Sequence, residues 1–123
     1  MKILLIALAG ALGTLARWWI SGAAQKAAGG VFPWGTFAVN MLGCFLFGAI
    51  WSAAEERMLI GPVARIVILS GFMGAFTTFS SYMFETAALM RDSQWLYAFG
   101  NIALQNITGI IFIALGFALG RAL

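Results

Sequence analysis

The chain is partitioned into four apolar runs, each long enough to cross ~30 Å of hydrocarbon, a distance that takes about 20 helical residues. They cover residues 3–24, 33–54, 62–90 and 95–119. Polar punctuation separates them: Gln25-Lys26 with Gly29-Gly30, Glu55-Glu56-Arg57 with Gly61, and Arg91-Asp92. Pro33 and Pro62 open their runs, where a missing N–H costs a helix nothing. Trp18, Trp19, Trp34, Trp51 and Trp95 fall near run ends, the placement of an interfacial aromatic belt. The ten-residue alternating segments of a membrane β-barrel are absent. Lys2, a short apolar stretch and Ala7-Leu8-Ala9 have the outline of a leader peptide. The run nevertheless continues to Ala24 without a polar interruption, so it reads as a span. Together these features predict an all-α integral membrane protein of four transmembrane helices, one domain over residues 1–123.

Composition excludes the other classes. The chain is 63% hydrophobic and 9% charged, against roughly 45–50% and about 25% for soluble domains. Seven basic and four acidic side chains cannot cover a water-exposed surface, and disorder requires the opposite balance. There is no histidine, and Cys44 is the only cysteine. Disulfides within the chain, the common zinc, haem and iron–sulfur ligand sets, and Ser–His or Cys–His pairs are therefore excluded. An intramembrane enzyme would lack catalytic groups. The net charge of +3 comes from scattered positions, so no basic patch is available to nucleic acid.

Charge also bears on orientation. Four spans put Lys2, Arg57, Arg65 and Arg121 on one side, with Arg17, Lys26 and Arg91 near the other. Fixed topologies normally show a clear basic excess on the cytoplasmic side. Four against three fits either one weakly preferred direction or insertion both ways as an antiparallel dimer. Four such helices fill their own centre with side chains, so a transport route would form between subunits. Small residues at Gly10, Gly13, Gly43, Gly116 and Gly120, the last two a GxxxG pair, permit close helix approach. They serve packing between subunits or within one.

Polar side chains inside the spans need partners or a wet cavity. In the second span Thr36, Asn40 and Gly43 form one helical stripe; Asn101, Gln105 and Thr108 form another in the fourth, flanked by Asn106. Each stripe suits interhelical hydrogen bonding or a polar lane. The third span is long and carries two glycines and four hydroxyls between Gly71 and Ser81, which weaken a helix through entropy and competing local hydrogen bonds. The expectation is a helix broken near the bilayer midplane, where irregular backbone is tolerated only inside protein or beside water. Freed carbonyls there could hold a cation. Beyond the break Thr78, Ser81, Tyr82 and Glu85 share a face, with Phe79 adjacent. Such a row is ordinary core by spacing alone, yet hydroxyls and aromatic edges also present partial positive charge without a fixed cation. Glu85 is the one acid within a span, a proton carrier or a structural carboxylate. Arg17, beside two tryptophans, is expected to snorkel to the interface.

At these residues the sequence resembles the CrcB/Fluc family of fluoride channels. Gly35-Thr36-Phe37-Ala38-Val39-Asn40 resembles the family's G-T-x-x-V-N, and residues 71–80 resemble its G-x-x-G-x-x-T-T-F-S, followed by Glu85. The resemblance spans essentially the whole chain. It implies passive export of cytoplasmic fluoride across the inner membrane, reducing its toxicity, through two pores between antiparallel subunits of a dual-topology homodimer. It also implies a structural sodium ion on the two-fold axis, bound by backbone carbonyls at positions matching Gly74 and Thr77. Asn40 matches the pore asparagine and Phe79 the first box phenylalanine. Tyr82 stands where the family has a second phenylalanine. Helix-four pore positions fall on Asn101, Gln105 and Gly109, and Glu85 and Arg17 match the family's glutamate and helix-one arginine. Asn40, Phe79, Tyr82, Asn101 and Gln105, with Thr36, Ser80 and Ser81, form the candidate fluoride path, and Glu85 and Arg17 are expected as structural polar residues. The alternatives are a proton-coupled exporter resembling the small multidrug type, and a structural membrane subunit with no transport of its own. Exporters of that type carry their essential glutamate in span one, where this chain has none.

Overall fold

The computed structural model describes residues 1–123. Helix α1 spans Lys2–Ala28 and α2 spans Trp34–Glu55. The third crossing is made of two pieces: α3, residues 62–76, and α4, Phe79–Arg91. Helix α5 runs Trp95–Ala122. Four helical segments, with the third taken as Pro62–Arg91, are long and apolar enough to cross a membrane. Only 26 of 123 residues are buried and large apolar side chains such as Leu12, Trp18, Leu96 and Ile110 face outward, as suits a surface turned to lipid. Helices cover the four apolar runs, each ending slightly past its run.

Helix α3 is irregular before it ends. Between Val67 and Met73 the hydrogen bonds run i→i+5, so the backbone is wider than an α-helix. The chain tightens to α geometry over Gly74–Phe76 and then extends: Thr77 has φ −90°, ψ 157° and Thr78 φ −148°, ψ 112°. The interruption expected between 71 and 81 is thus two extended β-branched residues, a conformation their crowded Cβ favours. The glycines Gly71 and Gly74 remain helical. Helix α4 restarts on Thr78, whose hydroxyl accepts from the Ser81 amide at 3.2 Å as an N-cap.

The glycines act inside the chain. A methyl at Gly71 would lie 2.9 Å from Ala9 Cβ and 3.0 Å from the Ile6 carbonyl oxygen, and one at Gly13 would collide with the Phe72 carbonyl. Helix α1 therefore rests directly on the widened part of α3. Gly116 and Gly120 face the Phe45 and Ala49 carbonyls of α2, while Gly48 of α2 faces Ile113 of α5. The small-residue rows are packing surfaces within one subunit, the second of the two readings open in the sequence. Between α1, α2 and α3 lies the apolar core of Val39, Leu69, Met73 and Phe76, flanked by Ile20, Leu46 and Phe72.

The end of α2 is fastened by charge. Arg65 pairs with Glu55 and lies over the Trp51 ring at 5.6 Å. Arg121 donates to both Glu56 carboxylate oxygens, at 2.6 and 3.3 Å. That hydrogen bond holds the Glu56 carboxyl below its usual range. A depressed carboxylate contributes stability above the unfolded value and loses it as pH falls through the folded one. Acidification should therefore lower the thermal midpoint in detergent more for the wild type than for Glu56→Gln, and added salt should shrink that difference. Gly116→Ala should destabilise by about 1–3 kcal/mol through overpacking. Gly22→Ala, with nothing within 4 Å, should hold or gain stability by up to about 1 kcal/mol; the same melts read both.

Candidate functional site

A broken helix leaves amides and carbonyls that must be paired inside a membrane protein. The Thr78 amide, ordinarily the partner of the Gly74 carbonyl, donates instead to Asn40 Oδ1 at 2.9 Å, and Asn40 Nδ2 donates to the Thr78 carbonyl at 3.2 Å. One carboxamide thus bonds both backbone groups of Thr78, as a neighbouring strand would. Gly43, one turn along α2, is bare because a Cβ there would collide with the Thr77 side chain. Thr77 turns its hydroxyl onto the Met73 carbonyl at 3.1 Å.

Arg17 departs from expectation. Rather than snorkelling, its Nε donates to the Ala75 carbonyl at 3.0 Å. The break deprives that carbonyl of a helical partner, and α1 passes close enough to supply one. Arg17 consequently leaves the count of loop charges, and the basic split becomes four to two.

The polar stripes of α2 and α5 meet at the same place. Asn40 Nδ2 also donates to Gln105 Oε1 at 3.2 Å, and Gln105 Nε2 reaches Asn101 Oδ1 at 3.5 Å. Asn101 Nδ2 donates to Thr86 Oγ1 at 2.9 Å, and that hydroxyl donates to the Tyr82 carbonyl at 2.8 Å. Every bond in this chain runs in one direction, from α2 through α5 into α4. Asn101 is fully buried and serves as an internal link, whereas Gln105 reaches a cleft wall.

Two clefts flank the Asn40–Thr78 pair. One, of about 430 Å³, is walled by Asn40, Thr77, Thr78, Phe79, Tyr82, Gln105 and Asn106 with apolar residues of α2, and has no charged lining. The Phe79 and Tyr82 rings stand 5.8 Å apart at 86°, an edge-to-face pair; Phe79 is 71% exposed on the isolated subunit. The other, of about 470 Å³, is lined by Arg17, Ser21, Thr36, Thr78, Ser80, Ser81 and Glu85. There the Thr36 hydroxyl donates to the Glu85 carboxylate at 2.5 Å, and the Thr78 hydroxyl donates to Ser81 Oγ at 3.0 Å. The structure thus gathers Thr36, Asn40, Phe79, Ser80, Ser81, Tyr82, Gln105, Glu85 and Arg17 around the break. Thr77 is half of the break itself, Gly74 lies in the helical turn just before it, and Asn101 sits one link behind.

The CrcB-like protein (camphor resistance) family model matches residues 4–117. The chain belongs to this family. A relative from Solidesulfovibrio magneticus named "Fluoride-specific ion channel FluC" is 53% identical over 120 residues, 98% of this chain and 96% of its own. Relatives of the same name from Nitrosococcus oceani and Methylocella silvestris are 52% and 40% identical, covering 98% and 100% of this chain and 96% and 95% of theirs.

Two residues escaped the sequence reading. Gln25, read as punctuation, accepts from the Gly35 amide at 3.0 Å and donates to the Phe32 carbonyl at 3.0 Å, fixing the entry of α2. Thr86 bridges Asn101 to Tyr82, and its spacing four residues after Tyr82 was the available signal. Replacing Asn40 by leucine should orphan the Thr78 amide and carbonyl and cost about 1–3 kcal/mol for each group left unpaired. Thermal melts in detergent should show the loss, and Asn101→Leu, farther along the chain, should lose less.

Proposed function

We propose that two copies of this chain form a passive, fluoride-selective channel that lets cytoplasmic fluoride leave the cell across the inner membrane. The break at Thr77–Thr78 carries the reading: it opens two clefts at mid-span, walled on one side without a single charged group. The name carried by the relatives supports fluoride as the ion. Neutral hydroxyls, amides and ring edges attract a small hydrated anion yet let it go, the balance that conduction needs. The path assigned to it comprises Thr36, Asn40, Phe79, Ser80, Ser81, Tyr82 and Gln105, with Asn101 behind them. Because both Asn40 amide protons are engaged, an ion meeting Asn40 would displace Gln105 as acceptor.

A second copy is part of the proposal. Ser80, Gly74 and Phe79 lie exposed on the single subunit, and polar groups facing hydrocarbon are costly. A partner related by a two-fold axis in the membrane plane would cover them and complete each cleft. The four-to-two basic split is a weak orientation signal, compatible with dual topology. Where the two breaks meet, Gly74 and Thr77 of each copy would offer backbone carbonyls to a sodium ion. Gly74 fits, since its usual amide partner turns to Asn40, and neutral oxygens suit a hard monovalent cation. Bound there, the ion would supply positive charge that ties the two breaks together.

The reading is of a channel and not of an enzyme. Nothing in the geometry favours a proton-coupled exporter: Glu85 is bonded to Thr36, and no acid lies in α1.

Liposomes loaded with fluoride and containing the purified chain should release it quickly once potassium is free to follow, and release chloride hardly at all. The rate should not follow an imposed pH gradient. Phe79→Ile should cut fluoride release by roughly tenfold, the effect of about 1.4 kcal/mol on a barrier. Comparable chloride release would overturn selectivity, and pH-driven flux would favour the exporter.

A further inference from the structure

The 430 Å³ cleft contains three hydroxyls, and two are already committed. Thr77 donates to the Met73 carbonyl at 3.1 Å and Thr78 to Ser81 Oγ at 3.0 Å. The third is different. Tyr82 accepts from Asn106 Nδ2 at 3.0 Å, while the second Asn106 amide proton goes to the Ile102 carbonyl at 2.8 Å. A phenol has one proton to give and two lone pairs to offer. Asn106 takes one lone pair, its nitrogen held in place by the helix carbonyl behind it, and no group of the chain takes the proton. Tyr82 is 6% exposed, so that proton has the cleft as its outlet.

We propose that the Tyr82 hydroxyl donates a hydrogen bond to fluoride in this cleft and that Asn106 is the positioning residue that aims it. The proposal rests on the channel reading above. An O–H donor to an anion is short and about twice as strong as a neutral pair. In a cleft with no fixed cation it replaces water that the ion sheds on entry. The phenol of Tyr82, with the Phe79 ring packed edge-to-face against its ring at 5.8 Å, then gives the ion an O–H donor where the family pattern has a second phenylalanine. Asn106 is assigned no contact with the ion; its amide protons hold the phenol oxygen and the Ile102 carbonyl.

The test is fluoride-electrode efflux from liposomes across a series of internal fluoride concentrations, using wild type, Tyr82→Phe, Asn106→Leu and the double variant. Tyr82→Phe keeps the ring and its packing, and unchanged helical circular dichroism and gel-filtration elution would confirm folding. Its half-saturating fluoride concentration should rise roughly tenfold, the scale of one hydrogen bond to a charged group. Asn106→Leu should raise it roughly threefold by letting the phenol turn. The double variant should match Tyr82→Phe, because Asn106 works only through that hydroxyl. A Tyr82→Phe curve identical to wild type, with Phe79→Ile still impaired, would overturn the donor role and leave the channel reading standing. A double variant worse than Tyr82→Phe would overturn the positioning role. A wild type that releases no fluoride would overturn both this proposal and the reading it rests on.

Discussion

The pairing of Asn40 with both backbone groups of Thr78 is the interaction on which the remainder of the molecule depends. A helix interrupted inside hydrocarbon faces several kcal/mol for each unpaired amide or carbonyl. Asn40 answers two of those groups with one side chain, and Arg17 answers a third at Ala75. With those bonds made, two residues can stay extended, and the hydroxyl-rich start of α4 is turned toward open space. Without them, the favoured outcome is continuous helix, and both clefts would close. The same carboxamide ties the break to α5 through Gln105, so its geometry is passed into the buried links at Asn101 and Thr86.

Such a small protein can hold this arrangement because its helices touch backbone to backbone. Gly13 and Gly71 let α1 settle on the widened turn of α3, and Gly48, Gly116 and Gly120 lock α2 onto α5. Close approach maximises dispersion contacts where lipid removes any hydrophobic preference for protein over solvent. It also sets distances: Arg17 reaches Ala75 only because the neighbouring Gly13 brings α1 against Phe72.

Much of this was legible in the residues, and the reasons differ by feature. Apolar run length specified the four crossings because bilayer thickness allows few alternatives. The interruption was signalled by hydroxyls and glycines between Gly71 and Ser81, but its position was not. The glycines, which weaken a helix on their own, are held helical by α1, while Thr77 and Thr78 are released by Asn40, thirty-eight positions away. Arg17 was misplaced for the same reason: its partner is a carbonyl that becomes available only through a distant break. The glycine rows could not be assigned to one interface, since spacing alone reports close approach and not with whom. Asn101 had the stripe spacing of a lane residue and proved to be an inner link, a distinction that depends on helix rotation.

The widened stretch between Val67 and Met73 has a consequence for how such a chain tolerates change. A π segment holds one residue more than the α-helix it interrupts, and each helical position turns the chain by about 100°. The wide turn absorbs that extra residue, so losing one residue there would let the segment relax into regular helix while Met73 and Phe76 keep their faces. The same residue forced into α geometry would rotate everything downstream by that angle, taking Met73 and Phe76 out of the core and Thr78 away from α2. The wide turn therefore works as a phase-setter, and the register of the whole third crossing is held by a region that contributes no group to either cleft.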